Sequence, residues 1–415
     1  MSEDTHYDLN WIVSVDDHVI EPPNVWMDRL PSKYKDVGPR IIRESDGNEY
    51  WVYEDQKMIT GGLGATAGRP PEDITVEGYP YSEMRPGCYD PIERLKDMDE
   101  AGVLASLNFP SIPRFCGQLF WEAKDKDLAL LCVKAYNDWM IEEWCAAAPG
   151  RYIPLTIIPL WDPAEAVKEI ERTAAMGSTS FAFSENFEPL GLPTVHDPSG
   201  YWDPVLQAAN DTGQILSIHI GSSSVMYKVA SNSPFMANMS LGMIRPAACM
   251  TSWIMSGLFQ AFPDIKIALS EGSIGWIPWI LERADQVYHT QRHWVARGLQ
   301  YQGNGAEGAH GLGTREGADV FAIDVYKDYR EHFYGCFIDD HTGLGMLNVV
   351  GEDNVMIEMD YPHSDTTWPH SIKLAHERLE AAGLSDEVKW KILRGNAERL
   401  YRFTPAEAPV NVIRH

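Results

Sequence analysis

Basic charge and long apolar runs are both scarce in this 415-residue chain. Lysine and arginine number 34 against 60 acidic residues, a formal charge of -26. No basic stripe remains to neutralise a phosphate backbone, so no nucleic-acid partner is expected. No stretch of 18 apolar residues occurs, which removes a membrane-spanning helix and a membrane partner from the expectations. The six cysteines form no Cys-x-x-Cys pair and no short framework spacing. A zinc ribbon and a disulfide scaffold are thereby excluded, and the thiols read as reduced and buried. The opening residues, MSEDTHYDLNW, lack the basic start and apolar run of a signal peptide, so a cytoplasmic, soluble protein is the expectation. No internal repeat or low-complexity tract is visible beyond one glycine-rich run.

What is present is an alternation. Short apolar, β-branched runs recur between longer stretches with helical patterning, the arrangement of βα units around a parallel sheet. There are eight such runs: Trp11–Asp17, Ala105–Pro110, Tyr152–Pro159, Ser178–Ser184, Gln214–Ile220, Ile265–Ser270, Tyr334–Asp339 and Asn354–Met359. That count is what a closed barrel needs, so the expected fold class is α/β, a distorted (β/α)8 barrel forming one domain over residues 1–415. Helices are expected over Pro91–Gly102, Asp162–Met176, Pro204–Thr212 and Pro278–Gln291, from proline near their starts and, in the first two, glycine at or just past their ends.

Two segments break the repeat. Residues 21–89 form an insertion after the first strand; within it Arg40–Arg43, Tyr50–Glu54 and Lys57–Thr60 read as a small β-meander, followed by GGLGATAGRPP as a mobile loop. Residues 292–333 form a glycine-rich insertion after the sixth strand, read as a lid, a subunit contact or disorder. TSWIMSGLFQAF and this insertion together suggest a homo-oligomer or a pairing with a paralogous subunit.

The residues able to carry chemistry fall at strand ends. In SVDDHVIEPP the Asp16-x-His18 spacing puts both side chains on one face of a strand, so two metal ligands can converge from it. His219 follows an apolar run in LSIHIGSSS, and Asp360 closes the last strand in VMIEMDYPHSD, where Pro362 turns the chain away. Asp16, His18, His219 and Asp360 come from strands one, five and eight and can meet only at one end of a closed barrel. Two carboxylates and two imidazoles suit zinc or manganese, and also iron. Glu271, at the end of strand six, is a fifth candidate, as general base, as a group orienting a ligand, or as ligand to a second metal. His341, His363 and Glu21 are further candidates for a second metal or for substrate; Glu185, Asp339 and Asp340 also lie at the rim. Trp26, Trp51, Trp276, Trp279 and Trp368 are candidates to line a pocket for an aromatic substrate.

The motifs SVDDHVIEPPNVW, RLKDMDEAGV, GLPTVHDPSGYWDP, LSIHIGSSS, SEGSIGWIPWILERAD, CFIDDHTGLG and IEMDYPHSDTTWP, in this order, resemble the amidohydrolase-related branch (family 2) of the metal-dependent amidohydrolase superfamily, which includes aromatic-acid decarboxylases. The resemblance spans most of the chain. It implies metal ligands at Asp16, His18, His219 and Asp360, and a small organic, possibly aromatic, substrate. Family chemistry would be hydrolysis through an activated water or non-oxidative decarboxylation of a chelated carboxylate. Two departures stand out: Asp16 where many superfamily members begin His-x-His, and Glu271 where decarboxylases carry a histidine. Because Glu271 adds a third negative charge, the alternative is a dinuclear iron or manganese site and O2-dependent hydroxylation. A non-enzymatic partner of a catalytic paralogue is the remaining reading, which the intact ligand set opposes.

Overall fold

Every position of β1 (Ile12–Val19) is buried, as expected of a strand enclosed on both faces of a sheet. The computed structural model describes residues 7–45, 47–296, 315 and 317–410. β2 (Arg40–Arg43), β3 (Glu49–Tyr53) and β4 (Gln56–Ile59) form a separate antiparallel meander before β5 (Val103–Pro110) pairs in parallel with β1. The parallel ladder continues through β6 (Tyr152–Ile153), β7 (Leu155–Thr156), β8 (Ser180–Phe183) and β9 (Ile215–His219). It ends with β10 (Ile267–Ser270), β11 (Phe333–Phe337) and β12 (Val355–Ile357). β6 pairs with β5, and β7 with β8; the two are one strand broken at Pro154, which has no N–H for the ladder.

Taken as one, they leave eight parallel strands in chain order among the described residues. The ring closes between β12 and β1. The Asp360 N–H donates to the Asp16 carbonyl at 2.9 Å, the His18 N–H to the Tyr361 carbonyl at 2.6 Å, and the Met359 N–H to the Ser14 hydroxyl at 3.0 Å. This is the expected distorted (β/α)8 barrel, with strand ends displaced by a few residues because hydrophobic pattern continues past the last ladder bond.

Two of the outer helices begin where an aspartate takes up their free N–H groups. Asp90 accepts from Ile92 and Glu93 at the start of Pro91–Ala101, and Asp162 accepts from Ala164 and Glu165 at the start of Pro163–Ala175. Asp203–Thr212 and Ile277–Val295 fall on the other two expected helices. None of the helices among the described residues is long and apolar enough to cross a membrane. All six cysteines are buried thiols.

The meander attaches through Trp51, fully buried edge-on against Trp26 with ring centroids 5.2 Å apart. The segment expected as a mobile loop is docked instead. Gly62–Ala65 form a 3-10 turn, and the N–H groups of Thr66 and Ala67 both donate to the Pro362 carbonyl, at 2.8 and 3.1 Å. Gly61, where the loop begins, has φ +71, and a Cβ there would stand 2.9 Å from Tyr79 Cε2. The centre of the glycine-rich insertion, residues 297–314 and 316, lies outside the described residues, and with it the lid, subunit-contact and disorder readings.

Candidate metal centre

Strand geometry brings the candidate ligands together. On β1, Asp16 and His18 share a face, while Asp17 points the other way and accepts the Tyr361 N–H at 2.9 Å. Pairing with β5 shifts register between Ser14 and Asp17, an irregularity of the kind that re-aims side chains near functional sites. His219 is the last residue of β9, Glu271 the first after β10, and Asp360 follows shortly after β12.

The nitrogens His18 Nε2 and His219 Nε2 are 3.2 Å apart. His18 Nε2 is 3.5 Å from Asp16 Oδ1 and 3.3 Å from Asp360 Oδ1; His219 Nε2 is 3.4 Å from Asp16 Oδ2 and 3.3 Å from Glu271 Oε2. His219 Nδ1–H donates to the Ile220 carbonyl at 2.5 Å, so in the neutral ring Nε2 carries the lone pair that faces the cluster. Ligand atoms bound at 2.0–2.2 Å around one ion stand about 3.0–3.5 Å from one another. All five separations fall in that range.

Buried oxygens point the same way. The side chains of Asp16 and Asp360 are both buried; the Asp16 oxygens accept no hydrogen bond, and those of Asp360 meet only the His18 and His363 imidazoles, at Oδ1. Uncompensated carboxylates in an apolar setting are costly, and a divalent cation is the counter-charge that fits this donor set. Stacked rings hold the imidazole planes: His363 lies 3.6 Å over His18, and Phe115 4.1 Å over His219.

The electrostatics follow from this crowding. Burial, then repulsion from Glu358, Asp360 and Glu271, pushes the Asp16 carboxyl well up. Glu271 is raised by burial and by the Asp360 and Glu358 carboxylates, and Glu358 is raised by burial and Asp360. Burial drives His219 down to about 4 and His18 well below its ordinary value. Asp360 differs: burial opposes its ionisation, yet the His363 and His18 imidazoles hold it low. Acids that resist ionising beside imidazoles that resist protonating make a site whose charge balance improves with a dication.

The structure therefore brings donor atoms together in two groups that share His18, one of Asp16, His18 and His219 and one of His18, Asp360 and His363, with His363 Nδ1 3.1 Å from Asp360 Oδ1 and Glu271 set against His219. It does not bring in His341, which is exposed with Nε2 3.8 Å from Asp339 Oδ1. Nor is Glu21 a donor here. It is buried, and its two carboxylate oxygens accept the N–H groups of Ser111 and Ile112, at 3.0 and 2.9 Å. Glu185 is bonded to the Gly221 N–H, the Ser223 hydroxyl and Arg245, and Asp339 to Arg378. Asp340 accepts from the N–H groups of Ile274, Gly275 and Gly343.

The expected tryptophan lining is not found beside the centre. Trp26 and Trp51 are core, Trp279 is exposed, and the Trp276 and Trp368 indoles donate to the Gly272 and Asp97 carbonyls. The aromatics at the centre are Phe109, near the end of β5, and Phe115, which no strand pattern marks. Glu358 was also missed, although Glu358-x-Asp360 repeats the spacing of Asp16-x-His18. Glu271 and Glu358 form part of the wall of a cavity of about 310 Å³ that Met243 and Ile338 also line.

Comparison with known proteins bears on the fold and the family. Gamma-resorcylate decarboxylase of Rhodococcus jostii (strain RHA1) is 25% identical over 330 residues, covering 74% of this chain and 86% of that protein. An amidohydrolase from Mycobacterium avium subsp. paratuberculosis K-10 superposes with a TM-score of 0.68 at 20% identity, over 95% of this chain and 100% of its own. A 5-carboxyvanillate decarboxylase from Novosphingobium aromaticivorans DSM 12444, solved with manganese and 4-hydroxy-3-methoxy-5-nitrobenzoic acid, superposes with a TM-score of 0.62 at 16% identity, over 97% of this chain and 100% of its own. The amidohydrolase family model matches residues 17–403, and the chain belongs to that family.

Proposed function

We propose that this protein is a divalent-metal-dependent, non-oxidative decarboxylase of a small aromatic acid. The observation that carries the reading is the convergence of donor atoms from Asp16, His18 and His219, with Asp360 joined to them through His18, beside a cavity walled by Glu271. Two of the three relatives described above are named decarboxylases, which supports decarboxylation, and none is an oxygenase, which leaves O2-dependent hydroxylation without support.

In this reading Asp16, His18, His219 and Asp360 hold the metal. The donor set admits zinc, manganese or iron, and manganese is the choice that the Novosphingobium enzyme favours. When bound, the cation supplies Lewis acidity that holds the substrate carboxylate and stabilises charge on a neighbouring oxygen. Phe115 and Phe109, packed on His219, exclude water from one side of the ligands. Glu271 is the proton donor, its carboxyl raised by burial and by the Asp360 and Glu358 carboxylates. The bond between the ring carbon and the carboxyl carbon breaks, CO2 leaves, and the Glu271 proton ends on the ring carbon.

A homo-oligomer in the cytoplasm belongs to the proposal. It is supported by exposed Val229, Phe235 and Met236 in the segment after β9, an apolar surface suited to a second subunit. The test is CO2 release from gamma-resorcylate, 5-carboxyvanillate and related benzoic acids by protein of known metal content. Metal-dependent CO2 release supports the proposal; O2 consumption or amide hydrolysis without it would overturn it.

A further inference from the structure

The turn that carries Glu271 is held by carboxylates from two neighbouring strand ends. Glu271 has φ +52 and Ser273 φ +52, the left-handed region that side-chain-bearing residues avoid. Between them stands Gly272, where a Cβ would lie 2.8 Å from the Leu269 carbonyl oxygen. Such a turn persists only where its surroundings impose it. Asp340 Oδ2 takes the N–H groups of Ile274 and Gly275, at 2.8 and 2.6 Å, and Glu358 Oε2 takes that of Glu271 itself at 3.1 Å. Glu358 is 2% exposed and anchored by its own N–H to the Phe337 carbonyl at 3.0 Å. Among the described residues it belongs to neither group of side chains whose donor atoms converge as for a metal.

We infer that Glu358 is a positioning residue: by accepting the Glu271 N–H it holds that residue left-handed, which turns the Glu271 carboxylate inward to 3.3 Å from His219 Nε2. This rests on Glu271 as the proton donor. The experiment is a double-mutant cycle in the metal-loaded enzyme, with Glu358→Gln retaining an acceptor of the same shape, Glu358→Met and Glu358→Ala lacking one, and Glu271→Gln as the second arm.

Misplacing a reacting group by about 1 Å costs about 100-fold, so Glu358→Met should lower kcat by about 10- to 100-fold with KM and metal content held. Glu358→Gln should recover most of the loss, and Glu358→Met should add less than about twofold once Glu271 is Gln. An undiminished loss in the Glu271→Gln background, or unchanged kcat in a folded Glu358→Met or Glu358→Ala enzyme, overturns the inference. Full activity of Glu271→Gln sinks the proton-donor reading alone. The positioning claim is then judged on a holoenzyme crystal structure of Glu358→Met, where Glu271 should leave positive φ; an unmoved Glu271 overturns it. Should neither Met nor Ala variant fold, the same two readouts on Glu358→Gln and Glu358→Asp decide, since Asp shortens the reach to the Glu271 N–H.

Discussion

His219 does two things through its two nitrogens. Nδ1–H is committed to the Ile220 carbonyl, and Nε2 faces His18, Asp16 and Glu271. Replacing it by alanine removes a ligand from the centre; we expect His219→Ala to lose metal and turnover together, measured by elemental analysis and CO2 release. Metal at wild-type stoichiometry in that variant would remove His219 from the site. Glu271 should behave differently. As a proton donor held outside the four ligands, Glu271→Gln should keep the metal while kcat falls by about 100- to 10,000-fold. Loss of metal in parallel with activity would make Glu271 a ligand instead.

At the scale of elements, the rim is built from acidic side chains that bind backbone N–H groups rather than substrate. Glu21 ties the end of β1 to the chain after β5, and Asp340 ties the chain after β11 to the turn after β10. Asp340→Ala would strand three N–H groups, those of Ile274, Gly275 and Gly343. Hydrogen bonds to a charged acceptor contribute about 1.5–3 kcal/mol each before relaxation, so a net loss of about 2–3 kcal/mol is expected. Thermal unfolding of the metal-loaded variant checks it; an unchanged midpoint would mean water replaces the carboxylate at no cost. The strand runs and helix caps behind these elements were legible in sequence because period and capping chemistry are local. Which rim acid faces the centre and which binds backbone was not, since both kinds stand at strand ends with the same neighbours.

For the molecule as a whole, metal and protons compete. Asp17 and Glu21 rise from 3.8 and 4.5 to about 7 on burial, so between roughly pH 4.5 and 7 the folded chain keeps protons that the unfolded chain has released. Folding takes up protons there, and stability falls as pH rises through the window. His219 acts oppositely, with a folded value of about 4 against 6.5, adding stability as pH rises from 4 to 6.5. The raised carboxylates, which include Asp16, Glu185, Glu271, Asp328 and Glu358, outnumber the lowered imidazoles of His18, His196, His219 and His332. The chelator-treated protein should therefore lose thermal stability from pH 5 to 7. Metal displaces protons from its ligands, so its binding strengthens over the same range. At a hundredfold excess over Kd it adds about 2.7 kcal/mol. The gap between melting curves with excess Mn2+ and with chelator should widen with pH; a narrowing gap would refute this coupling.

By itself the sequence determined the barrel and four meeting points. Eight apolar runs separated by helical stretches admit few other closed sheets, and polar residues at their C-terminal ends must share one rim. Asp16, His18, His219 and Asp360 were legible for that reason. Only the tertiary structure decided that Glu271 and His363 join them while His341 and Glu21 do not, that Phe115 stacks on His219, and that the loop at 61–71 docks on Pro362. Strand period fixes the face on which a side chain leaves. The turn that follows a strand is set by which distant group takes its N–H, as Glu358 does for Glu271, and no local pattern encodes that choice.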